Sequence, residues 1–508
     1  MMKKNALCIF VSLLIAADLM FAQGQLPGGI SPWNEFKSMS GDIVLLKNHG
    51  KLLPLDNRPI TSIALIGPEI HSPGLAAKAK QAPDSHSFIS PYKGIAEYLG
   101  DSIDIYTAYG VNMVNDVVRL DSSYVYVGQG VHGYAVKYYD HAEAEGIPIK
   151  SDVDKYIDHY WEQLPFFGAD TVFSMSWSAT LIPEHGPVKA KLIHSGACRL
   201  YLDGKLMIDN WKAGPVRIDS AWLNIKKGQS YNLKIEFFSK QGPAVIKFGF
   251  DYLESNMIYT AVEKAKRADV AIVIAGQAAV FQNDGNLSPA YQMPAQSKLI
   301  RAVLGANPNT IVVLQTEAAV DIETWAFDVP AIIQAWMPRQ QSGREIANVL
   351  FGKENPAGKL PFRWTMNENQ NFATRFAFGH GLSYTTFGIG KLLIWPLRDS
   401  CGWVATVEIR NMDKRTGTET LQLYARQKEH LYADPVSELK AFKKISLWPE
   451  QKKVVVIPLP CEAFMYFDEE TGQWTFGSGI YEILVGVSEE DMKLRKILEV
   501  KPEYINIK

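Results

Sequence analysis

The run Lys264-Ala265-Lys266-Arg267-Ala268-Asp269, followed directly by Val270-Ala271-Ile272-Val273-Ile274-Ala275-Gly276, decides the fold. Its first half reads as the charged end of an amphipathic helix, and its second as a strand with no polar face. A strand apolar on both sides must be covered on both sides, which is the condition of a parallel sheet between helices. The alternation continues downstream. A helical stretch around Lys298 to Leu304 leads to Thr310-Ile311-Val312-Val313-Leu314, and Ala331-Ile332-Ile333-Gln334-Ala335-Trp336 follows as another strand. Far upstream, Ile43-Val44-Leu45-Leu46 and Ile63-Ala64-Leu65-Ile66 have the same character, the second stopped by Gly67-Pro68. Two distant segments therefore build one α/β domain.

Between them the period changes. Lys189 to Ile193, Arg199 to Leu202, Tyr231 to Phe237 and Ala244 to Phe248 alternate apolar and polar residues, with turns such as Asp203-Gly204 and Lys227-Gly228 separating them. That pattern predicts an antiparallel β-sandwich inserted into the α/β domain. After Phe387 the chain is all-β again, through Val404 to Ile409, Thr420 to Tyr424, Lys453 to Ile457 and Tyr481 to Val485. The expected fold class is multidomain α/β plus all-β: an α/β sandwich with a parallel-rich sheet, an inserted β-sandwich, and a C-terminal immunoglobulin-like β-sandwich. The expected domains are 33–126 with 254–387, 127–253, and 391–500.

Composition narrows the function. In 508 residues, room for about three domains, hydrophobic residues make up 47% and charged residues 21%, the balance of a globular protein with ample core. A formal net charge of −2 gives no basic field, which argues against nucleic acid as a partner. Lys3 and Lys4 precede the apolar run Ala6 to Ala17, and Met20-Phe21-Ala22 ends in a small residue. These are the parts of a secretory signal peptide, expected over residues 1–22 with cleavage near Ala22 and a secreted or periplasmic product. The run is too short for an integral membrane span. Cys8 would leave with that segment. Cys198, Cys401 and Cys461 then remain, with no disulfide framework and no zinc spacing. A Cys401–Cys461 bridge is open, but the reading favours buried free thiols.

Four stretches carry a resemblance. They are Asp42-Ile43-Val44-Leu45-Leu46-Lys47-Asn48 through Ile66-Gly67-Pro68; Gln334-Ala335-Trp336 with Ala347 to Gly352 and Asn355-Pro356-Ala357-Gly358-Lys359-Leu360-Pro361; Phe378-Gly379-His380-Gly381-Leu382-Ser383-Tyr384-Thr385-Thr386-Phe387; and Glu419 to Tyr424 with Glu438 to Phe442. Together they resemble the C-terminal half of a family 3 glycoside hydrolase, the β-glucosidase family. The last stretch looks like that family's fibronectin-type-III-like domain. Arg199 to Leu206 and Ile208-Asp209-Asn210-Trp211 are similar to the protective-antigen-type domain that some members carry as an insert.

The resemblance implies a retaining mechanism, with two carboxyl groups roughly 5–5.5 Å apart across the scissile bond. In the family the nucleophile is an aspartate of an N-terminal barrel, a unit of roughly 250 residues. The few residues between the expected signal peptide and the sandwich opening leave no room for it. The acid/base of relatives comes from a sandwich loop that matches Gly276 to Ser288 here. Gln282 and Asp284 stand where relatives have glutamates, and Leu287-Ser288 replaces an Asp-Arg pair. An amide has no proton to give, so Asp284 is the remaining acid/base candidate. Ala76 to Lys80 occupies the place of a glycine-rich substrate loop.

Trp336 could stack on a sugar or pack in the core, and His380, between two glycines, is a site-facing or a structural residue. Gly352 to Lys359 evokes a phosphate loop, but it has one residue too many between its glycines, and Leu360 stands where Ser or Thr is needed. The adjacent aspartates through which inserted-domain relatives hold calcium correspond to Ser195-Gly196 here, so no metal or other cofactor is expected. Two functions are open. The first is an exported carbohydrate-system protein, inactive alone, with an oligosaccharide or glycoside as ligand. The second is an accessory subunit of a split glycoside hydrolase, partnered by a separate barrel-domain protein.

Overall fold

A computed structural model of the chain describes residues 42–71, 89–112, 117–118, 120, 122–128, 130–161, 172–212, 214–240, 244–276, 279–281, 287–289, 293–337, 341–365, 374–397, 401–428, 437–468 and 472–501. The expected signal peptide lies outside them.

Six strands form the central sheet: β1 (Val44–Asn48), β2 (Ser62–Ile66), β3 (Asp104–Ala108), β4 (Val270–Gly276), β5 (Thr310–Gln315) and β6 (Ala331–Gln334). Their order across the sheet is β1-β6-β5-β4-β2-β3. All neighbours are parallel except β1, which runs antiparallel along the edge beside β6. Leu65 of the first segment faces Ile272 of the second across the β2–β4 ladder, so the two segments share one sheet. β2, β4, β5 and β6 are buried along their whole length, which is why they read as unbroken apolar runs.

Among the described residues, four helices cover the two faces: α1 (Pro91–Leu99), α2 (Glu254–Arg267), α3 (Pro294–Ala306) and α4 (Ser342–Leu350). Ala261 and Ala265 of α2 and Leu299, Ile300 and Val303 of α3 pack with Ala64, Val273 and Val312. Ile95 of α1 and Ile346 and Val349 of α4 pack on the opposite face with Leu65, Ile272 and Val313. Small residues on α2 and glycines on α1 and α4 permit close approach. A Cβ on Gly94 would lie 2.1 Å from the Gly343 carbonyl, so α1 and α4 touch backbone to backbone.

The inserted body is a two-sheet sandwich. One sheet has four strands, ordered Arg217–Leu223, Val188–His194, Ala244–Asp251 and Asp158–Trp161. The other includes Lys205–Asn210, Ala197–Leu202, Tyr231–Ser239 and Phe173–Leu181. Trp177, Phe237, Leu192 and Ile235 fill the space between them. Val118 already bridges Phe250, and Leu120 already joins this core, ahead of the expected start at 127. A single bridge and a 3₁₀ turn show no alternation, so the start of this body is silent in the sequence.

The C-terminal body packs a three-stranded sheet (Phe387–Pro396, Gly402–Asn411, Lys452–Pro460) on a four-stranded one (Glu438–Leu447, Gly417–Gln427, Gly479–Gly486, Met492–Val500). Its first strand begins at Phe387, before the expected boundary at 391. Cys401 and Cys461 are bridged, with Cα atoms 5.5 Å apart, which corrects the expectation of free thiols. The reason is register: Gly402 pairs with Pro460, so the residues just outside that pair face each other. Cys198 is buried and unbridged. No helix among the described residues is long and apolar enough to cross a membrane.

Candidate functional site

β2 connects to β3 on one side of the sheet, and β4 connects to β5 and then β6 on the other. The gap between β2 and β4 is therefore the point where the winding reverses. Open α/β sheets bind ligands at the carboxyl ends of strands beside such a point.

Gly67 ends β2 at φ +126°, and a Cβ there would lie 2.1 Å from the Ile274 carbonyl oxygen of β4, so only glycine fits. The chain then turns through Pro68 to half-buried Glu69. A Cβ on Gly276, the last residue of β4, would meet Glu69 Cγ at 2.2 Å. The Glu69 side chain thus lies across the end of β4. His71, beyond it, packs against Tyr92 at 4.7 Å and Tyr109 at 5.9 Å between ring centroids. Glu69, His71 and Tyr109 escaped sequence reading. The signal available was a polar residue just after a buried strand closed by Gly-Pro.

The loop that leaves Gly276 is fastened at its root. Gln296 Nε2 donates to the Gly276 carbonyl at 2.8 Å, and Gln296 Oε1 accepts from the Gly276 N–H at 3.0 Å. Within the loop, Ala279–Phe281 pairs antiparallel with Leu287–Pro289. Gln282 and Asp284 lie outside the described residues, as does Ala76 to Lys80. Gln315, beside Gly276 in the β4–β5 ladder, is buried, and its amide finds no hydrogen-bond partner among the described residues.

Further along the edge, Gln334 Nε2 donates to the Thr316 carbonyl at 2.9 Å. Trp336 follows with φ +59°, a left-handed backbone that turns its indole outward from the strand end. Its Nε1 donates to the Asp42 carbonyl at 2.8 Å, and its ring meets Phe362 edge-on at 6.1 Å. Trp336 lines a cleft of about 760 Å³ between the α/β body and the C-terminal sandwich, shared with Glu317, Leu360, Phe378, Phe442 and Lys444. Burial, aided by nearby Lys359 and opposed by Asp42, lowers the Lys444 pKa.

His380 does not line that cleft. Its Nε2 lies 2.9 Å from the Leu46 carbonyl of β1, to which it donates, and its ring stacks on Phe376 at 5.0 Å. Burial lowers its pKa, the Leu46 hydrogen bond opposing, so the ring is held neutral inside the domain. The edge gathers no metal-ligating cluster among the described residues.

The chain also has known counterparts. The glycosyl hydrolase family 3 C-terminal domain matches residues 43–384, and the fibronectin type III-like domain matches residues 419–489. "Probable beta-glucosidase K" of Emericella nidulans is 30% identical over 92% of this chain and 62% of its own length. A beta-glucosidase of Rhizobium radiobacter is 27% identical over 91% of the chain and 62% of its own length. Among solved structures, the beta-glucosidase of Kluyveromyces marxianus in complex with glucose superposes with a TM-score of 0.68 and 27% identity, covering 90% of this chain and 60% of that one. This chain spans a little over three fifths of the length of these relatives. On the sheet, the switch-point edge and this breadth of likeness, the chain belongs to glycosyl hydrolase family 3, of which it carries the C-terminal and fibronectin type III-like domains.

Proposed function

We propose that this chain supplies the sandwich-side wall of a family 3 glycoside site, as an exported carbohydrate-system protein that does not turn over glycosides by itself. The observation that carries this reading is the strand-end edge at the β2–β4 switch point. There Glu69 lies over Gly276, and the adjoining loop is clamped at its root by Gln296. The loop corresponds to the one that holds the acid/base in relatives, and in its sequence Gln282 replaces a glutamate. General acid catalysis needs a transferable proton, which an amide lacks. The relatives' names point to a β-glucoside as the ligand class.

A second reading, an accessory subunit that completes a site with a barrel-domain partner, is favoured by the cleft beside Trp336. Trp336, Met337, Leu360, Phe378, Leu439 and Phe442 give it an apolar wall, and Phe442 is 66% exposed. Apolar surface grouped in this way marks a contact site.

Affinity capture from the native source, followed by assay of the captured material on chromogenic β-glucosides, separates the two. Capture of the chain alone, with β-glucoside binding but no turnover, is the outcome of the first reading. A stoichiometric barrel-type chain that brings turnover with it establishes the second. Neither glucoside binding nor a partner would refute both.

A further inference from the structure

We propose that His194, Cys198 and Asp219 form a binding site for one zinc-class divalent cation inside the inserted sandwich. The imidazole nitrogens, the thiol sulfur and the carboxylate oxygens of these residues offer ligand atoms that all lie within 4.8 Å of one another. His194 ends a strand of one sheet, Asp219 sits on its neighbour, and Cys198 comes from the facing sheet, so the three meet between the layers. Nitrogen, sulfur and oxygen donors in one group are the mixed set that zinc accepts. Ligands of a tetrahedral zinc lie roughly 3.3–3.8 Å apart, so around the ion the wider separations of the group close by up to about 1 Å while the 2.8 Å His194–Asp219 pair opens.

The hydrogen bonds of His194 carry the inference beyond proximity. The side chain is fully buried, and its Nδ1 is bonded to the Gly196 carbonyl. A carbonyl has no proton to offer, so Nδ1 holds one. Nε2 then turns towards Asp219 Oδ2 at 2.8 Å. At that distance a second proton, on the ring or on the carboxylate, lies between the two atoms, and a cation held by both would displace it. A histidine whose far nitrogen donates to a backbone carbonyl is the usual state of a metal ligand. Asn210 Nδ2 steadies the same carboxylate oxygen at 2.6 Å. Gly196 is fixed in place, because a Cβ there would lie 2.3 Å from the Phe238 carbonyl oxygen.

Cys198 is buried, and its sulfur is the third donor of the group. On metal uptake the S–H bond of Cys198 breaks, its electron pair becomes the sulfur–metal bond, and the proton leaves to solvent. The proton that Nε2 otherwise shares with Asp219 leaves as well.

The experiment uses the full chain with Cys8→Ser. Cys401 and Cys461 are bridged, so Cys198 is its only free thiol. The chelator-treated, folded protein is titrated with cobalt(II) alone and then with zinc(II). One equivalent of cobalt should produce a thiolate-to-metal charge-transfer band that one equivalent of zinc removes. Zinc should also slow alkylation of Cys198 by at least about tenfold. Cys198→Ala should lose the band, and Asn210→Ala should weaken cobalt binding by about tenfold or more, as loss of an outer partner does. If the folded chain shows no band and Cys198 reacts equally fast with and without zinc, the group is a buried histidine–aspartate pair and the proposal fails. The decisive readings come from the chain with its three ligands intact, so a poorly folding variant does not blunt the test.

Discussion

Trp336 pairs a bulky side chain with a left-handed backbone, and the two features make opposite demands on a replacement. Trp336→Ala removes a half-buried indole worth about 1–1.5 kcal/mol of apolar burial. It also removes an edge-on contact to Phe362 worth about 0.5–1.5 kcal/mol and a hydrogen bond to Asp42 worth about 0.5 kcal/mol at this exposure. The loss should total about 2–3.5 kcal/mol. Trp336→Gly loses the same contacts. It is relieved, however, of the roughly 1–2 kcal/mol that a Cβ costs at φ +59°, against about 0.5–1 kcal/mol for the freer unfolded glycine. Glycine should therefore be the more stable of the two by about 0.5–1 kcal/mol, the reverse of their order in an ordinary strand. Hydrogen exchange of the Ala331–Gln334 amides in increasing urea reports this body alone, in a chain whose separate bodies need not unfold together. An alanine variant as stable as the glycine variant, or more so, would refute the left-handed turn and with it the indole's orientation into the cleft.

Two further outcomes follow from the packing. Gly94→Ala should destabilise the α/β body by about 3 kcal/mol or more in the same exchange measurement, because its Cβ would lie 2.1 Å from backbone and not from a side chain that could swing away; a change below about 1 kcal/mol would contradict the contact between α1 and α4. Glu489 accepts from Arg363 Nε and Nη2 at 2.6 and 2.7 Å and from the Phe378 N–H at 2.9 Å, tying the C-terminal sandwich to the α/β body. Burial raises its pKa, but the Arg363 and Phe378 hydrogen bonds outweigh it and leave the carboxyl below 4.5. Because the folded pKa is the depressed one, this link is fully present above about pH 4.5 and is lost as pH falls through the lowered value. Glu489→Gln should accordingly melt lower than the parent at pH 7, and the gap should close in acid; a gap that persists unchanged at pH 3 would show that the carboxylate charge is not what holds the bodies.

Much of the scaffold was legible because burial on both faces leaves no polar residue in a strand. β4, β5 and β6 could be read as runs such as Val270 to Ala275 without any knowledge of their neighbours. Strand order is a different matter, since nothing local in Ile63 to Ile66 says that it pairs with β4, so the switch point and Glu69 came only with the sheet. The Cys401–Cys461 bridge was illegible for a similar reason: the cysteines stand 60 residues apart and meet through the Gly402–Pro460 register. His194, Cys198 and Asp219 lie on three strands of two sheets, and no linear spacing encodes that meeting. Trp336 was legible as a residue of interest. Its exposure to the cleft depends on a positive φ that sequence patterns do not anticipate for tryptophan.

The central claim is that this chain shapes a family 3 glycoside site without turning over glycosides on its own. The direct measurement is the steady-state rate of aryl β-glucoside hydrolysis by the purified chain, followed through exhaustive repurification. The account predicts a rate indistinguishable from the blank. A rate that stays with the chain through repurification and disappears in Glu69→Gln or Asp284→Asn would contradict it, and would make that carboxylate a working acid.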